Sequence, residues 1–149
     1  MFHEALRIDP PAQTMTASFL TKTEKVTDDL TLRAGDIFFI HFWGLHHNPE
    51  EWQRPDEFLP DRWDPTHPLY LTPKGTKRNP YSFSPFSGGK RVCFGKTFAD
   101  YTARIVSSIL FYSFEMQFAD EKFKTETPKF VVLTNRDIQV HVKLTPRQN

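Results

Sequence analysis

Cys93 is the only cysteine of the chain, and its surroundings favour chemistry at its sulfur. By default, a lone cysteine is a small, buried, apolar side chain. Here it follows Lys90 and Arg91 in a glycine-containing loop, just before the start of a predicted helix. Nearby cations, backbone N–H groups and the helix dipole each favour the thiolate over the thiol. The sequence therefore predicts an anionic sulfur that could bind a metal.

The residues around this sulfur suit a large, flat ligand that carries negative charge. Gly89 and Gly95 allow the backbone to approach such a ligand closely. Arg91 offers a guanidinium that can bind a carboxylate. Three aromatic residues supply an apolar wall: Phe86, Phe94 and Phe98. A thiolate on a tight loop, with an apolar wall and an arginine, describes a haem–thiolate site.

Other kinds of site fail on residue type or spacing. The run that starts at His3 begins like the zinc motif H-E-x-x-H, but Arg7 stands where the second histidine is needed. Residues 89–97 resemble a phosphate-binding loop with one residue too many, and no buried strand leads into it. His46 and His47 are neighbours that would point apart on a helix, so we interpret them as surface or hydrogen-bonding residues.

Composition and charge exclude further classes of protein. The chain has 149 residues, with 19 Lys and Arg against 18 Asp and Glu, for a net charge of +1. This balance favours neither nucleic acid nor an anionic lipid surface as a partner. No apolar run approaches the ~20 residues of a membrane-spanning helix. One cysteine also excludes an internal disulfide and any multi-cysteine metal site.

The loop around Cys93 must be held by the elements on either side of it. Residues 97–114 predict the clearest helix, because apolar residues recur at i, i+3 and i+4 without an internal Pro or Gly. Residues 1–8 predict the end of a helix that Asp9 and two prolines terminate. A short helical turn is expected at 43–47. Short strands are expected at 15–19, 30–32, 37–40 and 130–133, and along the alternating residues 138–144.

The segment 48–78 has no clear period, and we expect an ordered loop with helical turns. Its order would come from the burial of four aromatic side chains: Trp52, Phe58, Trp63 and Tyr70. Residues 81–95 are expected to form an extended loop, called the Cys loop below.

The Cys loop resembles the haem-binding signature of the cytochrome P450 family. Residues 86–95 read FSGGKRVCFG and match F-x-x-G-x-R-x-C-x-G at every fixed position. Glu4 and Arg7 resemble the E-x-x-R of the family's K helix. Residues 52–63 resemble the segment between that helix and the Cys loop, with Arg62 in its P-D-R-W. The chain is therefore similar to the C-terminal, haem-binding portion of a cytochrome P450, from the E-x-x-R helix to the C-terminus.

The resemblance implies a mixed α/β fold that is mainly helical with small β-sheets. Residues 1–149 would be a partial cytochrome P450 domain. Its parts would be the K-helix remnant, the β segments, the Cys-ligand loop 81–95, the following helix 97–114 and a C-terminal β-hairpin. The family's oxygen-activating residues would lie outside this chain, so we assign no catalytic residue within it.

The resemblance also implies a role for individual residues of the Cys loop. Cys93 would be the axial ligand of the iron of haem b. Arg91 would pair with a haem propionate, and Phe86 would pack beside the sulfur. The remaining cofactor contacts would come from Gly89, Phe94, Gly95 and Ala99.

A structural ion network is implied away from the Cys loop. Glu4 and Arg7 lie at i, i+3 on one helical face, and Arg62 is the match for the second arginine that the family joins to them. The sequence departs from the family pattern at Thr102, where a Glu is frequent, and in 12–19, which contains no Lys or Arg.

The implied activity is that of a haem–thiolate monooxygenase. It would oxidise a small organic substrate with O2 and with electrons from a P450 reductase or a ferredoxin. Lys90, Lys96 and Arg104 would either line a basic docking surface or be ordinary solvated charges. If the full-length protein is of the microsomal type, it is expected at the cytosolic face of the endoplasmic reticulum membrane. Two alternatives remain open: a hydroperoxide-rearranging relative, and a truncated, non-catalytic P450 remnant that binds haem or is only structural.

Overall fold

The computed structural model describes residues 1–15, 17–120, 130–131, 134–135 and 141–147. Three α-helices lie in this part of the chain: α1 at Phe2–Ile8, α2 at Phe42–His46 and α3 at Lys96–Ser113. The strands described before α3 are β1 Ser18–Phe19, β2 Glu24–Lys25, β3 Thr31–Leu32 and β4 Ile37–Phe38. Those after it are β5 Phe114–Phe118, β6 Phe130–Val131, β7 Thr134–Asn135 and β8 Val142–Pro146.

The strands form small antiparallel pairs. β1 pairs with β4, β2 with β3, β5 with β8, and β6 with β7. Short 3₁₀ turns occupy the long segment between α2 and α3, at Pro60–Trp63, Pro68–Tyr70, Pro80–Ser82 and Gly89–Arg91. The mixed α/β class, mainly helical with small sheets, is thus confirmed.

Helices α1 and α3 begin and end close to the predicted residues. α1 ends at Ile8, where the N–H of Asp9 still donates to the carbonyl of Ala5 at 3.0 Å. Two prolines follow and cannot continue the helix. α3 begins one residue earlier than predicted and ends one residue earlier. Its apolar stripe is exposed, as the 76% exposure of Phe98 illustrates.

Three strands lie outside the predicted ranges: β2, β5 and β7. β5 follows α3 directly, where the pattern predicted the last residue of the helix, and it pairs with β8 from Phe114 opposite Pro146 to Phe118 opposite Val142. β2 is exposed and polar, and it forms because β3 lies opposite it. The predicted strands at 130–133 and 138–144 are only partly described, because residues 132–133 and 136–140 lie outside the described residues.

Aromatic side chains pack against one another in the segment that follows α2. Trp52 is buried, and its ring centroid lies 5.8 Å from that of Trp63, which lies 4.6 Å from that of Phe83. The guanidinium of Arg78 stacks on Trp52 at 4.4 Å. The expectation that all four aromatics of the 48–78 segment are buried is wrong for Phe58, which is 47% exposed. The backbone groups on either side of it face inward to the ion network, so its own side chain points outward.

Candidate functional site

The described part of the chain brings Glu4, Arg7 and Arg62 together in a buried cluster, called the ion network below. All three side chains are inaccessible to solvent. Glu4 Oε1 accepts hydrogen bonds from Arg7 Nη2 at 2.9 Å and from Arg62 Nε at 3.0 Å, and Oε2 accepts from Arg7 Nε at 3.0 Å. The indole N–H of Trp63 and the backbone N–H of Leu59 also donate to this carboxylate, at 3.0 and 2.9 Å. The buried negative charge is therefore fully paired.

Arg7 uses each of its N–H groups. Besides the bonds to Glu4, Nη1 donates to the carbonyls of His46 at 2.9 Å and Pro55 at 2.7 Å, and Nη2 donates to the carbonyl of Glu57 at 2.9 Å. A guanidinium carries five N–H donors, so no donor of this buried side chain is left without an acceptor. Arg7 therefore holds α1, the end of α2 and the 55–57 backbone in one arrangement.

Arg62 binds the backbone of residues 53–57, the segment that Arg7 also contacts. It donates to the carbonyls of Gln53, Arg54 and Glu57. Burial, followed by the positive charge of Arg7, lowers the pKa of Arg62 below its ordinary value. For Glu4, burial favours the neutral form, but the hydrogen bonds from Arg7 and the backbone N–H outweigh it and lower the pKa of the carboxyl. Glu4 is therefore an ionised carboxylate between two cations.

Four participants around the network were not predicted from the sequence. Trp63 and the backbone of Leu59 bind Glu4 directly, Arg78 donates to the carbonyl of Arg62 at 2.8 Å, and His46 supplies a carbonyl to Arg7. Trp63 could have been inferred from the sequence, because it directly follows Arg62 and a buried indole N–H needs an acceptor.

His46 is completely buried, unlike a surface histidine. Its Nε2 accepts the backbone N–H of Ser84 at 3.0 Å, so the ring is neutral and carries its proton on Nδ1. Among the described atoms, Nδ1 has no hydrogen-bond partner of ordinary geometry. Burial, followed by the positive charges of His47 and Arg7, lowers the pKa of His46 from 6.5 to about 4.

This burial predicts an acid-sensitive fold. In the unfolded chain His46 takes up a proton near pH 6.5, whereas in the folded protein it stays neutral down to about pH 4. The contribution of the neutral imidazole to stability is therefore complete above pH 6.5 and is lost as the pH falls towards 4. For one such proton, the equilibrium constant for folding falls about tenfold per pH unit. We expect urea unfolding at pH 7, 6 and 5 to show this loss.

A His46→Gln variant, which cannot titrate, should lose less stability over that interval. His3 and His47 also have a lowered pKa through burial, so a smaller loss should remain. Equal stability of the wild type at pH 7 and 5 would contradict the prediction.

The Cys loop is closed by its own backbone. The N–H of Cys93 donates to the carbonyl of Phe86 at 2.9 Å, and the N–H of Lys96 donates to the carbonyl of Cys93 at 3.2 Å. Two residues in this hairpin-like loop have a left-handed backbone: Ser87 with φ 62° and Gly89 with φ 60°. Gly95 caps the N-terminus of α3, which brings the sulfur to the positive end of that helix dipole.

The predicted cofactor contacts lie on this loop and in the first turn of α3, and each is at least partly exposed to solvent. Cys93, Gly89, Arg91 and Phe94 are exposed, whereas Phe86, Gly95 and Ala99 are half-buried. Arg91 makes no ion pair with any described residue. A Cβ built on Gly95 would lie 3.7 Å from Cys93 Sγ, so a larger residue would extend beside the sulfur.

These residues fit a haem. An accessible sulfur with a glycine beside it leaves room for a flat ring, and exposed aromatics offer it an apolar wall. An arginine free of other ion pairs in the described part matches a propionate.

The described residues contain no cluster of three or more metal-ligating side chains. None of the described helices is long and apolar enough to cross a membrane.

Comparisons of the sequence with known proteins agree with one another. A family model described as "Cytochrome P450" matches residues 1–142. Among curated relatives, "Cytochrome P450 4A24" and "Taurochenodeoxycholic 6 alpha-hydroxylase", both from Sus scrofa, are each 32% identical over 143 residues, covering 96% of this chain and 26% of the relative. The chain thus spans about a quarter of the length of these relatives.

Solved structures show the same fold. The haem domain of a cytochrome P450DA mutant aligns with a TM-score of 0.80 at 23% identity, over 98% of this chain and 30% of that one. A retinoic acid-bound cyanobacterial CYP120A1 aligns with a TM-score of 0.79 at 22% identity, over 97% of this chain and 31% of that one.

Proposed function

The chain belongs to the cytochrome P450 family, and we propose that it supplies the haem-binding, C-terminal part of a haem–thiolate monooxygenase. Members of this family are generally monooxygenases that contain haem. The observation that carries the proposal is the exposed sulfur of Cys93, on a backbone-closed loop at the N-terminus of α3. The relative named as a hydroxylase supports hydroxylation of an organic substrate as the reaction.

The protein's own residues would bind and orient the cofactor. Cys93 would hold the iron through its sulfur. Arg91 would bind a propionate, Phe86 would exclude water from the sulfur, and the exposed ring of Phe94 would contact the cofactor. When bound, a thiolate-ligated haem supplies the cleavage of the O–O bond of O2. The ion network would act at a distance, by fixing the backbone that precedes the Cys loop.

Electrons would come from a P450 reductase or a ferredoxin. Lys90 and Lys96 are exposed near Cys93 and would suit an acidic partner surface. Arg104 is less available, because its Nε donates to Asp100 at 3.0 Å. If the whole protein is of the microsomal type, we expect it at the cytosolic face of the endoplasmic reticulum membrane.

Replacing Cys93 by serine tests the proposal. The wild-type protein, reduced and exposed to CO, should show a strongly red-shifted Soret band. We expect Cys93→Ser to abolish this band, because a hydroxyl does not replace the thiolate as the electron-donating ligand of the iron. A Val92→Ser variant, which places the same side chain on the neighbouring exposed residue, should keep it.

The same measurement separates the alternatives. A red-shifted band without oxidation of any substrate in the presence of a reductase would support a haem-binding remnant. A folded wild-type protein that takes up no haem would overturn the proposal in favour of a structural role.

A further inference from the structure

We propose that His46 is a positioning residue that connects the ion network to the Cys loop and so holds Cys93 in place for iron. The inference rests on the proposed function for the role of Cys93. The connection itself depends only on hydrogen bonds and burial in the described residues. It adds a role for a histidine that lies 47 positions from Cys93 in the sequence.

His46 contacts the ion network through its backbone. It is the last residue of α2, and its carbonyl accepts a hydrogen bond from Arg7 Nη1 at 2.9 Å. Carbonyls at a helix C-terminus lack partners within the helix and need an external donor. Because Arg7 is fixed by two bonds to Glu4, the end of α2 is held at a defined place.

The imidazole of the same residue contacts the Cys loop. Nε2 accepts the N–H of Ser84 at 3.0 Å, and the ring lies 5.2 Å from that of Phe83. Ser84 in turn accepts the N–H of Ser87 at its carbonyl, at 3.0 Å. Phe86 lies two residues after Ser84, and its carbonyl accepts the backbone N–H of Cys93. A continuous set of bonds therefore runs from Arg7 to the start of the loop that carries the sulfur.

Burial makes this acceptor difficult to replace. The ring of His46 is inaccessible to solvent, so water cannot readily take its place beside the Ser84 N–H. Leaving a buried donor without an acceptor has a free-energy cost, which shifts the local equilibrium towards opening by about tenfold or more. We expect that cost to appear as local opening at the start of the Cys loop.

The neighbouring histidine provides a matched control. His47 stacks on Trp43 with 4.2 Å between ring centroids, and its Nδ1 lies 3.0 Å from the carbonyl of the same residue. Both contacts are within its own helical turn. In the described part of the chain, its side chain makes no hydrogen bond to the Cys loop or to the ion network.

The test compares two amides that differ by one methylene. In His46→Gln the side-chain oxygen reaches the position of Nε2 and can accept the Ser84 N–H, whereas in His46→Asn it is too short. In the haem-loaded protein we expect His46→Asn to raise the hydrogen-exchange rate of the Ser84 amide about tenfold or more. The amide of Trp52, bonded to the Asn48 carbonyl at 2.9 Å, should exchange as in the wild type.

The ligation of the iron gives an independent readout. The fraction of reduced, CO-bound protein with the red-shifted Soret band should fall by at least about half in His46→Asn, since the cost of an unmade bond exceeds thermal energy. His46→Gln should restore both the band and the Ser84 protection. His47→Asn should change neither.

Three results would overturn the proposal. They are unchanged Ser84 exchange in His46→Asn, equally raised exchange at Ser84 and Trp52, and a His46→Gln protein that behaves like His46→Asn. A wild type without a red-shifted band, but with the predicted exchange differences, would overturn the function of Cys93 and leave the connection supported.

A second pair of variants tests the same bond from the loop side if His46→Asn does not fold. Ser84→Pro removes the N–H donor, and the preceding Phe83 is extended (φ −126°, ψ 99°), outside the α region that a following proline disfavours. Ser84→Ala controls for the loss of the hydroxyl, which donates to the carbonyl of Tyr81 at 3.0 Å. We expect a reduced red-shifted fraction in Ser84→Pro alone, and equal fractions in the two variants would overturn the proposal.

Discussion

Replacing Glu4 by alanine is expected to destabilise the protein by about 3–5 kcal/mol, the cost of breaking a buried ion pair on one side. The change would leave Arg7 and Arg62 buried beside each other without a counter-charge, and would remove the acceptor of the Trp63 indole. Since most domains are stable by only ~5–15 kcal/mol, we expect Glu4→Ala protein to be largely free of haem. Haem content per folded chain and the urea midpoint measure the two effects.

A matched control lies on the surface of the same region. Glu57 pairs with Arg54 at the same i, i+3 spacing, but these side chains are 52% and 57% exposed. Glu57→Ala should leave haem content and the urea midpoint close to the wild type, because water replaces the lost partner. A folded, haem-loaded Glu4→Ala protein would contradict the prediction and reduce the network to an ordinary ion pair.

Residue spacing indicates that Glu4 and Arg7 pair, whereas their burial in an ion network with Arg62 is implied only by the family resemblance. Two residues at i, i+3 on a helix must share a face, and a buried carboxylate needs cations. The third member lies 58 positions from Glu4 and was inferred only from the family resemblance. Periodicity within the chain could not have identified it.

The orientation of His46 could not be predicted from the sequence. Two adjacent histidines on a short helix must point apart, and that expectation agrees with the structure. Nothing in the residue types indicates which of them faces inward. The choice depends on Arg7 and Ser84, which approach α2 from distant parts of the chain. The same limit explains β5, whose strand geometry depends on pairing with β8.

Helix boundaries, by contrast, follow from local chemistry. The residues that end α1 and begin α3 are a proline pair and a glycine, and each acts through its own backbone. The burial of Phe58 was mispredicted because hydrophobicity alone ignores backbone contacts. The neighbouring Glu57 carbonyl and Leu59 N–H bind the ion network, which leaves the ring outside.

Arg7→Lys is the second substitution with a large expected effect, although it preserves the charge. The five N–H donors of Arg7 reach both oxygens of Glu4 and the carbonyls of His46, Pro55 and Glu57. Lysine has three donors on one nitrogen, so at least two of these buried hydrogen bonds are lost. At about 1–3 kcal/mol for each lost bond to the buried cation, we expect a loss of about 2–6 kcal/mol in the free energy of unfolding.

Arg54→Lys separates geometry from charge in this prediction. The Arg54 side chain is exposed and binds only the Glu57 carboxylate among the described residues, so a lysine there can keep its ion pair in water. Its urea midpoint should match that of the wild type, whereas Arg7→Lys should unfold at markedly lower urea. Equal midpoints for the two lysine variants would mean that the network needs only a positive charge at Arg7. In that case the backbone of α2 and of residues 55–57 would be held by other contacts.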